Sequence, residues 1–547
     1  MEEKTVGPAK PIAVEEADNR GAAALAGNAV SGGGQRAESN APIVAGPFAV
    51  ARMREAIDSF VLRAARFAAG HDYGVALLAA LAIRALFLGG NSLWSDEAFS
   101  VLWSQQSLEY LIGAGAQLEP NPPLYYVLLH AWMQAFGSSA EAVRSLSVVF
   151  SVLTVMATCA IGRLLLGRPA AIFAGIFAAL DPASVFFAQE ARAYSLLACL
   201  EGTMILALVC YARRVPAGRM RPEAWLAVFA AAAIAAAYTQ YTAIVFVAGC
   251  FAAMTLHVAF AGPGAARQAW ALFVSALVVA LGSAYALLLA KSLAASAALT
   301  WIPPLSFWQI QTFLRSLLTY PDMRFDRAAQ IACSAPLIAL VASPSPLRFD
   351  RLQFGVLILL PALFVALAIA VSLERPILLP RIGLWLTIPL CLALARAVAQ
   401  HRAARRRAAA CVACLAAFAI ALASYFADYR KEDWREAARL ATTDPRCGGP
   451  VVFSDLFLPL LYYQPSIASR PFYTIDPKWL ETNALQRTLT QNAVRPAVLD
   501  PPGLTAFLSI HPRALIVLRR GSEPLLEAAP APAFRANLPG GLTVACY

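Results

Sequence analysis

Residues 166–197 read LGRPAAIFAGIFAALDPASVFFAQEARAYSLL. The apolar run from 169 to 187 is long enough to cross about 30 Å of hydrocarbon as a helix, and a second run begins at 195 after a turn holding Glu190, Arg192 and Tyr194. Arg163 and Arg168 stand before the first run, so that end faces the cytoplasm and the Glu190 turn faces outward. The same pattern extends in both directions. Of the 547 residues 59% are apolar without counting glycine, against roughly 45–50% with glycine in soluble proteins, and only 14% are charged. A mean hydropathy of +0.60 over the whole length requires many spans rather than one anchor. This excludes an ordinary cytosolic enzyme, and it makes the net charge of +11 a topology signal rather than the footprint of a nucleic-acid partner.

Eleven spans are predicted, at 73–90, 145–162, 169–187, 195–212, 224–240, 242–261, 270–290, 328–342, 353–373, 382–399 and 408–425. Arginine-rich stretches at 161–168, 213–221, around Arg267, at 348–351 and at 396–407 face the cytoplasm, as do Arg52, Arg54, Arg63 and Arg66 before the first span. Residues 91–143, by contrast, hold no Lys or Arg and five acids, Asp96, Glu97, Glu109, Glu119 and Glu141, and belong outside. The apolar run 124–136 has 13 residues, too few for a span, and is predicted as a helix on the outer membrane surface. Counting it as a span would turn the arginine-rich loops outward. Residues 1–45 lack an apolar period and are expected to be disordered in the cytoplasm, with no removable signal peptide. The odd span count places the tail, 426–547, outside, and its alternating stretches PVVF (450–453) and ALIVL (514–518) predict a small periplasmic α/β domain after the membrane domain of 46–425.

Eight of the ten cysteines fall in apolar runs and read as packing residues, including the Cys411–x–x–Cys414 pair. Cys447 and Cys546 lie in the tail and are candidates for a disulfide. The unusual polar residues gather on the outer face. Asp96 and Glu97 lie in SLWSDEAFS (92–100), Glu190, Arg192 and Tyr194 in the turn above, Tyr238, Gln240 and Tyr241 in the next outer turn, and Glu374, Arg375 and Arg381 in LERPILLPR (373–381). At membrane depth such groups are costly unless they pair or line a wet cavity, so their recurrence at one face points to a shared site. Taken singly, each also reads as a solvated loop, an interfacial pair or a snorkelling arginine. Arg84 inside the first span reads equally as a packing residue, and His130 as an interfacial side chain.

SLWSDEAFS, NPPLYYVLLHAW (121–132), the stretch 166–197, TWIPPLSFWQI (300–310) and KEDWREAARL (431–440) together, in that order, resemble bacterial glycosyltransferase family 39. This family is related to protein O-mannosyltransferases and the lipid A aminoarabinose transferase, within the GT-C class of polytopic helical membrane enzymes. The resemblance implies transfer of a sugar from a polyprenyl-phosphate donor to a cell-envelope acceptor on the periplasmic face of a bacterial inner membrane; in-line attack opposite the departing phosphate would invert the anomeric carbon. It places the general base on Asp96, adjacent to Glu97, and matches Glu190, Arg192 and Arg381 to family positions. With the outer-face clustering and the positive charge a departing phosphate needs, the candidate site has Asp96 and Glu97 as catalytic residues, Arg192, Arg375 and Arg381 on the donor phosphate, and Glu190, Tyr194, Asn121, Tyr125, Tyr238, Gln240 and Tyr241 in the substrate pocket. Family members often continue Arg-Tyr where this sequence has Arg381-Ile382. No cofactor is required by this reading. In the aminoarabinose branch a Glu before the proline contributes to a metal site. Here that stretch is Asn121-Pro122-Pro123 with Glu119 upstream, and Glu97 with Glu190 is the pair of oxygen donors left for a hard divalent cation. The competing readings are a transporter or flippase of a lipid-linked sugar and a catalytically silent partner that keeps the same shell.

Overall fold

The computed structural model describes residues 73–215, 223–260, 265–294, 302–324, 326–342, 349–454, 457–475, 497–519, 522, 526 and 529–547. The expectations for residues 1–45 and for Arg52 to Arg66 fall outside the described residues. Each predicted span coincides with helix: α1 (Gly74–Ala85), α4 (Ala140–Leu166), the pair α5 (Arg168–Leu180) and α6 (Pro182–Ala188), α7 (Tyr194–Ala212), α8 (Ala224–Ala237), α9 (Ala243–Ala259), α10 (Ala265–Gly282), α11 (Arg327–Val341), α12 (Arg351–Glu374), α13 (Pro380–Ala399) and α14 (Ala404–Asp428). Between α1 and α4 lie α2 (Ser95–Ser104) and α3 (Leu124–Phe136). Among the described residues six of these helices are long and apolar enough to cross a membrane alone, and the bent pair α5–α6 makes a seventh. The other four, α1, α8, α9 and α11, are shorter apolar helices. Helix α1 stops at Ala85 rather than near 90, with Phe87 in the left-handed region at φ 53 ahead of Gly89 and Gly90, which favour helix poorly. The run predicted at 270–290 is likewise broken, at Gly282 and Ser283.

The 50° bend between α5 and α6 has a local cause. Pro182 has no amide hydrogen, so the Ala178 carbonyl loses its helical donor. The extended backbone that proline imposes on Asp181 (ψ 117) leaves the Ala179 carbonyl in the same condition. Arg84 supplies both. Its Nη2 donates to Ala178 O at 3.1 Å, its Nη1 to Ala179 O at 2.7 Å, and its Nε to Ser151 Oγ of α4 at 2.8 Å. Asp181 then starts α6 by accepting from the Ser184 amide at 2.8 Å. Fully buried, Arg84 is therefore a structural tie among α1, α4 and α5. The arginine costs least where the break has already exposed acceptors.

Beyond α14 the chain builds a six-stranded sheet in the order β3-β2-β1-β4-β6-β5. The strands are β1 (Val451–Phe453), β2 (Phe472–Thr474), β3 (Ala497–Val498), β4 (Leu515–Arg519), β5 (Phe534–Leu538) and β6 (Leu542–Cys546). The first four run parallel, and the last two pair antiparallel. β1 and β4 are the two stretches expected from alternation, and both are buried, as central parallel strands covered on two faces must be. Val451, Phe453, Leu515 and Val517 pack with α15 (Trp434–Thr443) and α16 (Leu458–Tyr463), while Val452, Ile516 and Leu518 pack with α17 (Pro501–Ile510). Cys447 and Cys546 are disulfide-bonded, fastening β6 to the chain just before β1. Cys411 and Cys414 are free and pack on α14 within the bundle core.

Candidate active site

Glu97, in the first turn of α2, is wholly buried, and its oxygens are spoken for. Arg144 of α4 grips both, Nε to Oε1 at 2.8 Å and Nη2 to Oε2 at 2.7 Å; the Ala191 amide donates to Oε1 at 2.9 Å and Lys431 Nζ to Oε2 at 3.0 Å. The same guanidinium also holds the carbonyls of Leu88, Asn91 and Ser92, so one ion pair shapes the entire entry to α2. Burial alone would raise the Glu97 pKa, but Arg144 and Lys431 outweigh it and hold the carboxyl down at about 2. The sequence reading groups Glu97 with Asp96 as catalytic; the structure commits its carboxylate to Arg144, Lys431 and the Ala191 amide. An ionised carboxylate with every lone-pair direction engaged has none left for a substrate proton.

Lys431 enters from the loop after α14 and is nearly buried. Its ammonium lies between two acids, 3.0 Å from Glu97 and 3.3 Å from Glu190 Oε1. The loop is fastened to the segment before α2: Lys431 N donates to Asn91 Oδ1, Trp434 N to Ser92 Oγ, and Ser92 Oγ in turn to the Glu432 carbonyl. Leu93 N donates to Tyr463 OH of α16 at 2.7 Å. Burial raises the Glu190 pKa to about 7 against the pull of Lys431. The folded chain thus binds this proton more tightly than the unfolded chain, whose value lies near 4.5. Stability present at acid pH is therefore lost as pH rises from about 4.5 through about 7. Glu190→Gln is expected to flatten the unfolding midpoint across that window, and an unchanged slope would assign the effect to another group.

Below this cluster opens a cavity of about 340 Å³, lined among others by Trp94, Glu190, Tyr194, Asp322, Arg381, Tyr429, Arg430, Lys431 and Arg519. Arg381 Nη1 donates to Tyr194 OH at 3.0 Å and stands 5.4 Å from its ring centroid; Arg192 stands 5.8 Å from the same ring. Arg192 reaches back to α2, donating to the Asp96 carbonyl and to Ser100 Oγ, with Nη2 3.7 Å from the Asp96 carboxylate. Asp96 itself is 32% exposed, two residues beyond the cavity wall at Trp94. Buried Arg192 Nε and Trp94 Nε1 have no protein acceptor among the described residues. Arg375 is not brought to this site. It closes the end of α12, is exposed, and does not line the cavity, whose wall takes up this segment only from Leu379 to Arg381. Glu374 is exposed beside it.

The other predicted pocket residues form a second polar patch on the far side of Arg192. Glu119 Oε1 accepts from the backbone and side chain of Asn121 and from Tyr126 OH at 2.8 Å. The Leu124 amide donates to the Tyr238 carbonyl, which joins this patch to the turn carrying Gln240 and Tyr241. Tyr125 OH, Gln240 Oε1 and Tyr241 OH are buried with no partner among the described residues. His130 Nδ1 pairs with the Ser104 carbonyl and serves to dock α3 on α2. Sequence reading missed Lys431, Arg144 and Tyr126.

A divalent cation does not fit the pair proposed for it. The ammonium of Lys431 occupies the space between Glu97 and Glu190, and no group of three His, Cys, Asp or Glu among the described residues is placed to hold a metal.

The aminoarabinose transferase ArnT from Cupriavidus metallidurans, crystallised with undecaprenyl phosphate, superimposes with a TM-score of 0.55 at 14% identity, over 86% of this chain and 97% of that one. Its apo form gives the same TM-score over 87% and 98%. The chain has the GT-C fold. The Archaeoglobus fulgidus oligosaccharyltransferase AglB, at 11% identity over 88% of this chain and 75% of that one, reaches a TM-score of only 0.47, too low to add to the GT-C assignment. No protein family matches the chain by sequence, and no curated protein does.

Proposed function

We propose that this GT-C chain transfers a sugar from a polyprenyl-phosphate donor to a hydroxyl of a cell-envelope acceptor. One observation carries the reading: a part-exposed carboxylate, Asp96, lies 3.7 Å from Arg192, which stands 5.8 Å from the ring of Tyr194 on the wall of a cavity that Arg381, Arg430, Lys431 and Arg519 also line. The chemistry needs that juxtaposition. As the bond from the anomeric carbon to the phosphate oxygen breaks, its electron pair stays on the phosphate, and the growing negative charge is met by Arg381 and Lys431. No strong general acid is required. The acceptor oxygen attacks from the opposite side of the sugar and gives its proton to Asp96, so the anomeric configuration inverts. Arg192 stands between the two halves, and the orphaned Trp94 Nε1 is a spare donor in the wall for a sugar hydroxyl. The patch of Glu119, Asn121, Tyr125, Tyr238, Gln240 and Tyr241 serves the acceptor side.

The undecaprenyl phosphate bound to ArnT supports the donor class. The eleven-span reading and its arginine distribution support a cavity and sheet on the periplasmic side of a bacterial inner membrane, and the Cys447–Cys546 bond suits that oxidising compartment. The test is binding of undecaprenyl phosphate to the purified full chain in detergent. Arg381→Ala, which removes a charge-assisted contact, is expected to weaken it about 10- to 100-fold. Unchanged affinity would remove Arg381 from the donor site. Failure of the unaltered chain to bind would overturn the donor class itself.

A further inference from the structure

A second cavity, of about 460 Å³, lies at the other end of α7. Leu208 on its wall is fourteen residues from Tyr194, about 21 Å along the helix, so the two cavities are separate. Its interior is apolar: Ile205, Leu208 and Val209 from α7, Cys250, Ala253 and Met254 from α9, and Val356, Leu359 and Leu360 from α12. The α12 wall includes the π-helical turn Gly355–Leu359, a deformation that frequently marks a functional surface.

Two polar groups stand at the rim, Arg351 and His257. Arg351 is the first residue of α12 and is exposed; its Nη1 donates to the Phe260 carbonyl at 2.6 Å, and no carboxylate pairs with it among the described residues. The adjacent Asp350 is engaged by Arg213 at 2.8 Å. His257 has no hydrogen bond among the described residues, so the rim presents a guanidinium and an imidazole above an apolar interior. The α9 wall runs from Cys250 to Phe260, ten residues or about 15 Å, which is half of a roughly 30 Å hydrocarbon layer and the reach of one leaflet's acyl chain.

We propose that this cavity binds one acyl chain of an anionic phospholipid, with the lipid phosphate seated on Arg351 and His257. A much longer polyprenyl chain does not match this depth, and a zwitterionic headgroup does not match the rim's charge. The site is distinct from the proposed donor cavity and does not depend on it.

The test is native mass spectrometry of the full chain in detergent with equal amounts of phosphatidylglycerol and phosphatidylcholine. One phosphatidylglycerol per chain is expected to be retained at least tenfold more than phosphatidylcholine. Arg351→Gln should reduce that preference to near parity, and Leu208→Trp, which fills the interior, should abolish retention, both with the melting midpoint unchanged. If Leu208→Trp does not fold, Val356→Phe fills the same space from α12. Equal retention of the two lipids, or phosphatidylglycerol still held by the filled variant, would overturn the proposal. Added undecaprenyl phosphate should leave the phosphatidylglycerol adduct in place; its displacement would mark a polyprenyl site instead. Inorganic phosphate competing as well as the lipid would mark a bare anion site.

Discussion

Asp96→Asn is expected to lower sugar transfer about 10²- to 10⁴-fold while leaving undecaprenyl phosphate binding within twofold of the original. The substitution keeps the size of the side chain and removes only its ability to take a proton. It disturbs little else, since Asp96 is 32% exposed and its nearest charge, Arg192, is 3.7 Å away. A solvent-screened pair of that kind contributes about 0–1 kcal/mol, so the melting midpoint should hold. The measurement is single-turnover transfer to isolated envelope acceptors, followed by mass, beside a binding titration. Transfer retained within fivefold would remove Asp96 as the base. Loss of binding and transfer together would make it a positioning residue for the donor.

Glu97→Gln should fail in a different way. Its neighbour Asp96 and its place in the sequence suggest the same role, but its surroundings do not. Removing its charge leaves Arg144 and Lys431 buried with less negative charge than they need, at a cost of about 3–5 kcal/mol. The expected result is a lower midpoint and a poor folded yield, with activity falling in proportion to folded protein. In the double variant Glu97→Leu, Arg144→Met, the loss should be smaller than the sum of the two single losses, because the pair is removed with its mutual dependence. A Glu97→Gln protein that melts like the original and is nonetheless inactive would restore Glu97 to the chemistry.

The contrast between these two neighbours shows what the sequence could and could not reveal. Apolar runs report helices directly, so the eleven predicted spans all fall on helix, and period-two stretches reported β1 and β4. The helix at Leu124–Phe136 was visible from its length alone. Partnerships are another matter, because they close over long separations: Lys431 meets Glu97 across 334 positions, and nothing local in KEDW marks its lysine as a counter-ion. Arg144 left a fainter signal. It is the first basic residue after a segment of more than fifty residues without one, facing five acids, and charge balance alone could have nominated it. Arg375 was assigned by its nearness to Arg381, but six residues of chain direction separate them where α12 ends and α13 begins. Pro182 stood inside the span predicted at 169–187, and neither the bend there nor the use Arg84 makes of it followed without knowing that α1 lies alongside.

The lysine that quiets the acidic pair is encoded after the last helix of the bundle. While a ribosome is still translating, the described bundle helices can be in place before residue 431 exists, and until then Glu97 has only Arg144 as its ion-pair partner and Glu190 lacks the ammonium it pairs with. The buried charge cluster of such an unfinished chain is electrostatically incomplete. Arrival of the tail is then an assembly step as much as the addition of a sheet, because it delivers the ammonium that both buried acids pair with.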